Sequence, residues 1–560
     1  MGMSSLSIAV SGLNAAQTGL YVTGHNIANS GTEGYSRQRP VQADFFYRRA
    51  GENDVGILQK GMGTDIKGIV QIRDRFLDAA FRAENSRLGY YTVKSATGVE
   101  IEAIIGETQS QYNFQSVIID MWNALHELSE HPEGLETRGN FIATAVALVT
   151  KASDVYNRLY EYQKNLDEQI RSAVKEVNSL ISQIDKYNRR IANAVSSGDH
   201  ANDYRDQRSV CMDKLSKIIP AEYKEKSDST VNITCEGKEL LVNGAQNIIG
   251  LKYLAKEYSF VEPVFSAEKG ILPALTPPDE YEPFFVFNEP INADYGNDYG
   301  SLKGLMISRG TRPATYIGVS DLSYNMTDPA DKLRYINDVY SQENCFIPQV
   351  MRDMDILVHS IVTLINNSFA PATAYGPPGG VKDSDAPFDL SGAQSYEELF
   401  SRKIYPRWNI DNLIPETPED YYSLYTAGNI EVNPQILQPG GTNLLALSVS
   451  GDREDNRLLL DLISRWRSRI VDMSGERVSI NDGYQQFITS IGAETAKNLN
   501  FKNEQSLLTA QTDEKRSYIM SVSLDEELKN MMIYQHAYGA AARILNIIDS
   551  MLERLINLGA

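Results

Sequence analysis

Proline is nearly absent from both ends of this 560-residue chain. Of 21 prolines, only Pro40 and Pro132 precede Pro220, and none follows Pro439. Proline breaks a helix by removing a backbone donor and clashing with the preceding turn. Its scarcity permits long helices at the ends, and its abundance confines the centre to loops, strands and shorter helices. Charge is missing from the start as well, since no Asp, Glu, Lys or Arg precedes Glu33. The three cysteines, Cys211, Cys235 and Cys345, form no CxxC pair, which argues against a disulfide framework or cysteine zinc site and for buried thiols. No apolar run nears the roughly 20 residues of a membrane span, and no basic segment followed by an apolar one marks a general secretory signal. A basic surplus is also lacking. The net charge is -20, which argues against nucleic acid as a partner, because binding phosphates requires clustered Lys and Arg.

What is present begins with two apolar seams. Leu6, Leu13, Leu20 and Ile27 recur every seven residues, and Met531, Tyr534, Tyr538, Ala541, Leu545, Ile548, Leu552 and Leu555 step alternately by 3 and 4. Each terminus reads as a coiled-coil helix. Chain ends fray unless something ties them down, so these seams are covered by the other terminus or by another subunit. The last helix opens at Ser523-Leu524-Asp525-Glu526, a capping box in which Ser523 and Glu526 satisfy each other's backbone N–H groups.

Between the ends the length suffices for roughly three or four domains. Phe114, Ile118, Met121, Trp122, Leu125 and Leu128 mark a helix stopping before His131-Pro132. A longer one follows, with Val155, Leu159, Tyr162, Leu166, Ile170, Ala173, Val177, Leu180, Ile184, Tyr187, Ile191 and Ala194 as a bundle core broken by one stutter. Val231, Ile233 and Cys235 then alternate with polar residues, Glu236-Gly237 turns, and Leu240 to Val242 runs into Asn243-Gly244, a hairpin signature. Segments 254–300 and 369–440 hold Thr276-Pro277-Pro278-Asp279 and Gly376-Pro377-Pro378-Gly379-Gly380 and read as loops between short strands, with a helix through Val350, Met354, Leu357, Ile361 and Ile365 between them. The expected fold is mainly α with β insertions: a long coiled-coil helical bundle from both chain ends plus strand-rich central domains. The expected divisions are 1–60, N-terminal axial helix and extended segment; 61–225, first half of the bundle; 226–340, strand-rich domain; 341–368, connecting helix; 369–445, second insertion; 446–520, second half of the bundle; and 521–560, C-terminal axial helix.

Chemistry is hard to find. His126-Glu127 with His131 places the imidazoles five residues apart, on different sides of a helix, where a zinc helix needs four. Asn202-Asp203-Tyr204-Arg205-Asp206-Gln207-Arg208 interleaves acids with arginines and reads as self-paired charges capping a turn. Gly61-Met62-Gly63 lacks the third glycine of a dinucleotide fingerprint and reads as a turn. There is no P-loop and no G-x-S-x-G elbow, and six histidines leave little material for an acid–base centre. The expectation is no catalytic residue, no metal and no cofactor. Tyrosine, at 31 residues against 17 Phe, suits wet interfaces.

Leu13-Asn14-Ala15-Ala16, Asn26-Ile27-Ala28-Asn29 and Gly34-Tyr35-Ser36-Arg37-Gln38 resemble the N-terminal signature of bacterial flagellar axial proteins, with Glu33 where that pattern usually has proline. An uncharged helix ends there at Ala28-Asn29-Ser30-Gly31, where Asn and Gly tolerate left-handed conformations. Gly63-Thr64-Asp65-Ile66, Ile72 to Leu77, the stuttered helix, Asp203 to Arg208, the Val231 to Gly244 hairpin and Val522 to Arg543 resemble, more narrowly, the hook-associated protein 1 family. The likeness covers roughly the first 245 and last 120 residues.

That resemblance implies a structural adaptor joining hook to filament, secreted by the flagellum's own type III export apparatus and extracellular. The implied partners are copies of itself in a ring, the hook protein, the next junction protein and an export chaperone. Assembly would rest on Leu6, Leu13, Leu20, Asn26, Ile27, Asn29, Gly34 and Tyr35 at one end. At the other it would rest on Leu524, Met531, Tyr534, Tyr538, Leu545, Ile548, Leu552 and Leu555. A hook or filament subunit is the alternative within the same class, and a secreted enzyme carried in the central insertions the alternative outside it.

Overall fold

The computed structural model describes residues 2–53, 56–106, 113–254, 259–265, 282–287, 291, 293–311, 345–370, 386–395, 397–403, 425–473 and 476–558. The loop clusters at Thr276 to Asp279 and Gly376 to Gly380 lie outside them.

The uncharged N-terminal segment forms α1 (Gly2–Ala28). The turn after it uses Gly34 as its left-handed residue, φ +75°, rather than the expected Asn29 or Gly31, and a Cβ at Gly34 would also overlap the Val210 side chain. The chain then runs into β1 (Gln38–Asp44), β2 (Tyr47–Asn53), β3 (Gly56–Gly61) and β4 (Thr64–Gln71). β1 pairs antiparallel with β4, and β2 with β3. Gly61-Met62-Gly63 is not the expected turn: the Phe45 N–H donates to the Gly63 carbonyl and the Met62 N–H to the Phe46 carbonyl, both at 3.0 Å, so β1–β4 and β2–β3 run on as one antiparallel ladder, and a Cβ on Gly63 would overlap Ser11.

Four helices follow: α2 (Arg75–Ile105), α3 (Phe114–Glu130), α4 (Leu135–Ser196) and α5 (Asn202–Ile218). Asp74 caps α2 by accepting from the N–H groups of Phe76 and Leu77, and Asn113 caps α3 by accepting from Ser116. The 62 residues of α4 make a rod about 90 Å long at 1.5 Å per residue. Its 3-4 stripe is the buried one: Val155, Leu159, Leu166, Ile170, Val177, Ile184 and Ile191 are almost wholly inaccessible.

Beyond α5, β5 (Ala221–Glu225), β6 (Val231–Cys235), β7 (Lys238–Val242) and β8 (Ala245–Gln246) form one antiparallel sheet in sequence order. Both of its tight turns carry left-handed pairs, Glu236-Gly237 and Asn243-Gly244, matching the twist of the strands they join. β9 (Ile249–Tyr253) and β10 (Val261–Phe265) make a further hairpin. The centre continues with α6 (Ser301–Arg309), α7 (Phe346–Phe369), β11 (Phe400–Arg402) and β12 (Ile430–Val432). The chain returns through α8 (Arg457–Trp466), β13 (Val471–Met473), β14 (Glu476–Val478), α9 (Ile480–Met520) and α10 (Leu524–Leu558). The fold is mainly helical with small antiparallel sheets.

α9 runs along α2, while α4 packs against α3, α5 and α6. One continuous apolar core extends from Ile101 through α4 and the sheets to Ile491. Polar side chains on α4 pin the central elements to it. Asn188 exchanges two hydrogen bonds with the backbone of Val231, at 2.9 and 3.1 Å. Asp167 accepts from the Val261 N–H at 2.9 Å and pairs with the buried Arg309, whose guanidinium also donates to the Val261 carbonyl at 2.7 Å. Burial depresses the Arg309 pKa, and Asp167 opposes that effect. Buried polar groups cost free energy unless paired, so these bonds fix the register of β6 and β10 on the rod.

All three cysteines are free thiols, Cys211 and Cys235 buried, but Cys345 is only partly so. It ends outside the expectation of burial because it stands at the N-cap position of α7, without a side-chain capping bond, rather than lying on that helix's inner face.

Candidate assembly site

α1 and α10 lie side by side. A Cβ on Gly12 would stand 4.0 Å from Ala541, and one on Gly19 would stand 2.5 Å from the Tyr534 ring. Seven residues forward on α1 is seven backward on α10, so the helices are antiparallel and in heptad step.

The α1 face in this contact is not the leucine seam, whose cover the sequence left open between the other terminus and another subunit. Leu6, Leu13, Leu20 and Ile27 are only half-buried. The inaccessible residues are Ala9, Ala15, Ala16, Gly19, Val22, Thr23 and Asn26, with Ala9, Gly12, Ala16, Gly19, Thr23 and Asn26 stepping by 3 and 4. Small side chains let two helices approach closely, and the Tyr534 ring fills the space that Gly19 leaves. The signal for this stripe was present as alternating Ala and Gly, but large apolar residues outweighed it in the reading of α1.

On α10 the expected seam does face α1. Ala541 and Ile548 are buried, Met531, Tyr534, Leu545 and Leu552 half-buried, and Tyr538 and Leu524 exposed; the Leu555 side chain lies outside the described residues. A second ladder, Ile533, Ala537, Ala540, Ile544, Ile547 and Met551, also steps by 4 and 3, and all of it is exposed. Ile544 is 50%, Ile547 55% and Met551 60% accessible.

The pair is fastened to the bundle at a polar joint that gathers the remaining motif residues. Asn26 donates to the Gln38 carbonyl at 2.9 Å and accepts from the Gln38 N–H at 3.0 Å and the Tyr35 hydroxyl at 2.8 Å. Asn29 closes α1 by donating to the His25 carbonyl at 3.0 Å. Arg37 donates its N–H to the Met520 carbonyl at 2.8 Å, and its guanidinium meets Glu526 at 2.5 Å and the buried Glu527 at 2.8 Å. Ser523 accepts from the Glu526 N–H at 3.4 Å, but the Glu526 carboxylate turns to Arg37, so only half of the expected capping box forms.

Asp203 to Arg208 is likewise not self-paired. Asp206 accepts from the Ser36 N–H at 3.1 Å, the Ser36 hydroxyl at 2.7 Å, Gln71 at 2.8 Å and Arg73 at 3.4 Å. Gln38 donates to Asp203 at 3.2 Å. Arg205 and Arg208 both turn to Glu225, at 2.9 and 3.2 Å. The cluster lies at the start of a helix with four other segments around it, so longer-range partners win. Burial pushes the Asp206 carboxyl up to about 6, against Ser36 and Arg73, which favour its charged form. Burial, then Asp203, Asp206 and Glu527, raises the Tyr35 phenol above its ordinary value.

His126 stacks edge-on against Trp122 with centroids 4.4 Å apart, and His131 is exposed, 3.8 Å from Glu133. Among the described residues no His, Cys, Asp and Glu grouping is arranged to hold a metal.

Three family models match the chain. Residues 99–255 match the flagellar hook-associated protein FlgK helical domain, 6–35 the flagella basal body rod protein, and 518–558 the flagellar basal body rod FlgEFG protein C-terminal. The chain is 27% identical to flagellar hook-associated protein 1 of Bacillus subtilis strain 168, over 99% of this chain and 97% of that protein. It is 23% identical to flagellar hook-associated protein 1 of Escherichia coli strain K12, over 99% and 100%. The solved structure of the flagellar hook junction protein FlgK from Burkholderia pseudomallei superimposes with a TM-score of 0.55 at 11% identity, covering 80% of this chain and all of that one, a likeness of fold.

Two outcomes are expected. Gly19→Ala should loosen the terminal pair despite the better helix propensity of alanine, and adding Tyr534→Ala should recover the loss. A double-mutant cycle by chemical denaturation should return a coupling of about 1 kcal/mol or more, and a coupling of zero would contradict the close approach. A carboxyl whose folded-state pKa lies above its unfolded value of about 3.9 stabilises the fold below that value, and this contribution is lost as pH rises through about 6. The melting-temperature advantage of the native protein over Asp206→Asn should therefore shrink between about pH 4 and pH 7.5; an advantage that grows with pH would show the carboxylate to be better accommodated charged.

Proposed function

We propose, for this relative of flagellar hook-associated protein 1, the role of a structural subunit at the junction between hook and filament. The observation that carries the reading is the terminal helix pair. Its two members cover each other along one face only, leaving the Leu6, Leu13, Leu20 and Ile27 ridge half-covered and the Ile533 to Met551 ladder exposed. Apolar ladders of this length in water mark surfaces that other helices cover.

Copies of the chain stand in a ring, seated on hook protein below and offering a different upper surface to the next junction protein. Such a contact is heterologous, head to tail, and so builds tubes and rings rather than closed dimers. Before assembly the same apolar surface suits an export chaperone, and the chain leaves the cell through the flagellar type III apparatus. The bundle around α4 carries the centre outward from the paired helices. No step of this role requires catalysis.

Removal of the gene should leave motor, rod and hook complete, with bare hooks and unpolymerised flagellin in the medium. Restoring the native chain should restore filaments. Restoring Ile547→Asp should not, although this exposed substitution should change monomer stability by no more than about 0.5 kcal/mol. Electron microscopy of the cells checks both; attached filaments in the deletion strain would overturn the junction role.

A further inference from the structure

A groove of about 1210 Å³ lies between α2 and β5, with Ser209, Met212 and Ser216 of α5 along its floor. Arg75, Ala79, Arg82, Ala83 and Ser86 line it from α2 at helical spacing, a length of about 16 Å at 1.5 Å per residue. β5 runs beside them: Glu225 meets Arg75 at one end, and the Arg82 guanidinium lies 5.0 Å over the Tyr223 ring. At the other end the Gly300 N–H donates to the Ser86 carbonyl at 2.9 Å. There the buried Ser86 hydroxyl has no partner among the described residues.

Ala221 to Glu225 all line the groove, although strand side chains alternate between two faces, so β5 turns its edge to it. β5 is the outermost strand of its sheet. Among the described residues the backbone of Glu222 to Glu225 bonds to no element but β6. Unpaired N–H and C=O groups along an edge are a template for another strand. Spread over five strand residues, about 17 Å, the volume leaves a cross-section of about 70 Å². One strand, about 4.8 by 10 Å, fits there and two do not.

The charge is uneven along the groove. Arg73 and Arg82 are met by Asp78, Asp206 and Asp213, Lys303 is met by Glu236, and the exposed Glu222 and Lys224 offset each other. Arg75, Arg205 and Arg208, however, share the one carboxylate of Glu225, at 2.7, 2.9 and 3.2 Å. Burial, with Arg205 and Arg82, depresses the Arg208 pKa to about 10, and Glu225 opposes them. Positive charge is therefore in surplus at the Arg75 end.

We propose that this groove binds an extended acidic segment of a different chain, which adds to the free edge of β5 and sets its carboxylates against Arg75, Arg205 and Arg208. Main-chain bonds to a strand edge supply affinity, and the side chains beside it supply selection. The volume exceeds the roughly 300–1,000 Å³ of small-molecule sites, which favours a peptide over a small anion. A second copy is disfavoured, because among the described residues every strand is already paired within its own chain and the groove admits one strand. The site does not depend on the junction role.

The test titrates the full chain with a fluorescein-labelled peptide of three Glu-Thr repeats, followed by anisotropy and by hydrogen exchange. The peptide should bind, slow exchange of the Glu222 to Glu225 amides about tenfold, and bind about tenfold more weakly or worse to Arg75→Glu, a substitution at an exposed side chain. Equal binding by a Lys-Thr peptide or by the Glu-Thr peptide N-methylated throughout, or displacement by equimolar citrate, would show an anion patch without strand addition and overturn the proposal. The source is read in cells building flagella, with the photo-crosslinker p-benzoylphenylalanine replacing Lys224. An adduct with a different protein through a peptide rich in Asp and Glu is expected. An adduct between two copies, a crosslink within one chain, or no adduct overturns the assignment.

Discussion

The close approach of α1 and α10 is the contact on which the rest of the arrangement depends. A helix without Asp, Glu, Lys or Arg has no charged face to turn to water. The small residues Ala9, Gly12, Ala16 and Gly19 admit the C-terminal helix, and Tyr534 over Gly19 sets the register. Because small residues make this contact, the larger ones remain for others. Leu6, Leu13, Leu20 and Ile27 lie beside the contact rather than within it.

The joint at Arg37 and Asp206 gives that pair a definite direction relative to the bundle. Four stretches distant in sequence meet there: Asn26 to Gln38, Gln71 to Asp78, Asn202 to Ser209 and Met520 to Glu527. Few of their side chains are apolar, so the joint is specified by hydrogen bonds and ion pairs rather than by area. Buried polar networks of this kind are costly when incomplete, which makes the geometry all-or-none. It transmits orientation from the terminal helices to a rod about 90 Å long.

Periodicity made the helices legible. α3, α4 and α10 follow their 3-4 stripes, and the β6–β7 hairpin follows alternation and its two turns, because each pattern is local. Partners across the chain were not legible. The pairing of Asp206 with Ser36 and of Arg205 with Glu225 depends on which segments fold together, and a single sequence shows only that charges alternate. The capping box failed in part for the same reason: Arg37 competes for Glu526 from nearly 500 residues away. In α1 leucine spacing marked a half-covered ridge, while alanine and glycine made the contact with α10. The expected assembly residues lie on the terminal helices and their joint, whereas the second ladder on α10 emerged only once one face was seen to be covered.

The central claim is that the bundle folds on its own while the terminal pair awaits neighbours. Hydrogen exchange on the full chain, free and in isolated junctions, tests this most directly. In the free chain, amides of residues 150–196 should exchange slowly and those of 1–35 and 540–560 quickly, because one covered face leaves the helices near the low end of local stability. In the assembled state both terminal segments should become as slow as the bundle. Full protection of both ends in the dilute free chain, unchanged on assembly, would contradict the account.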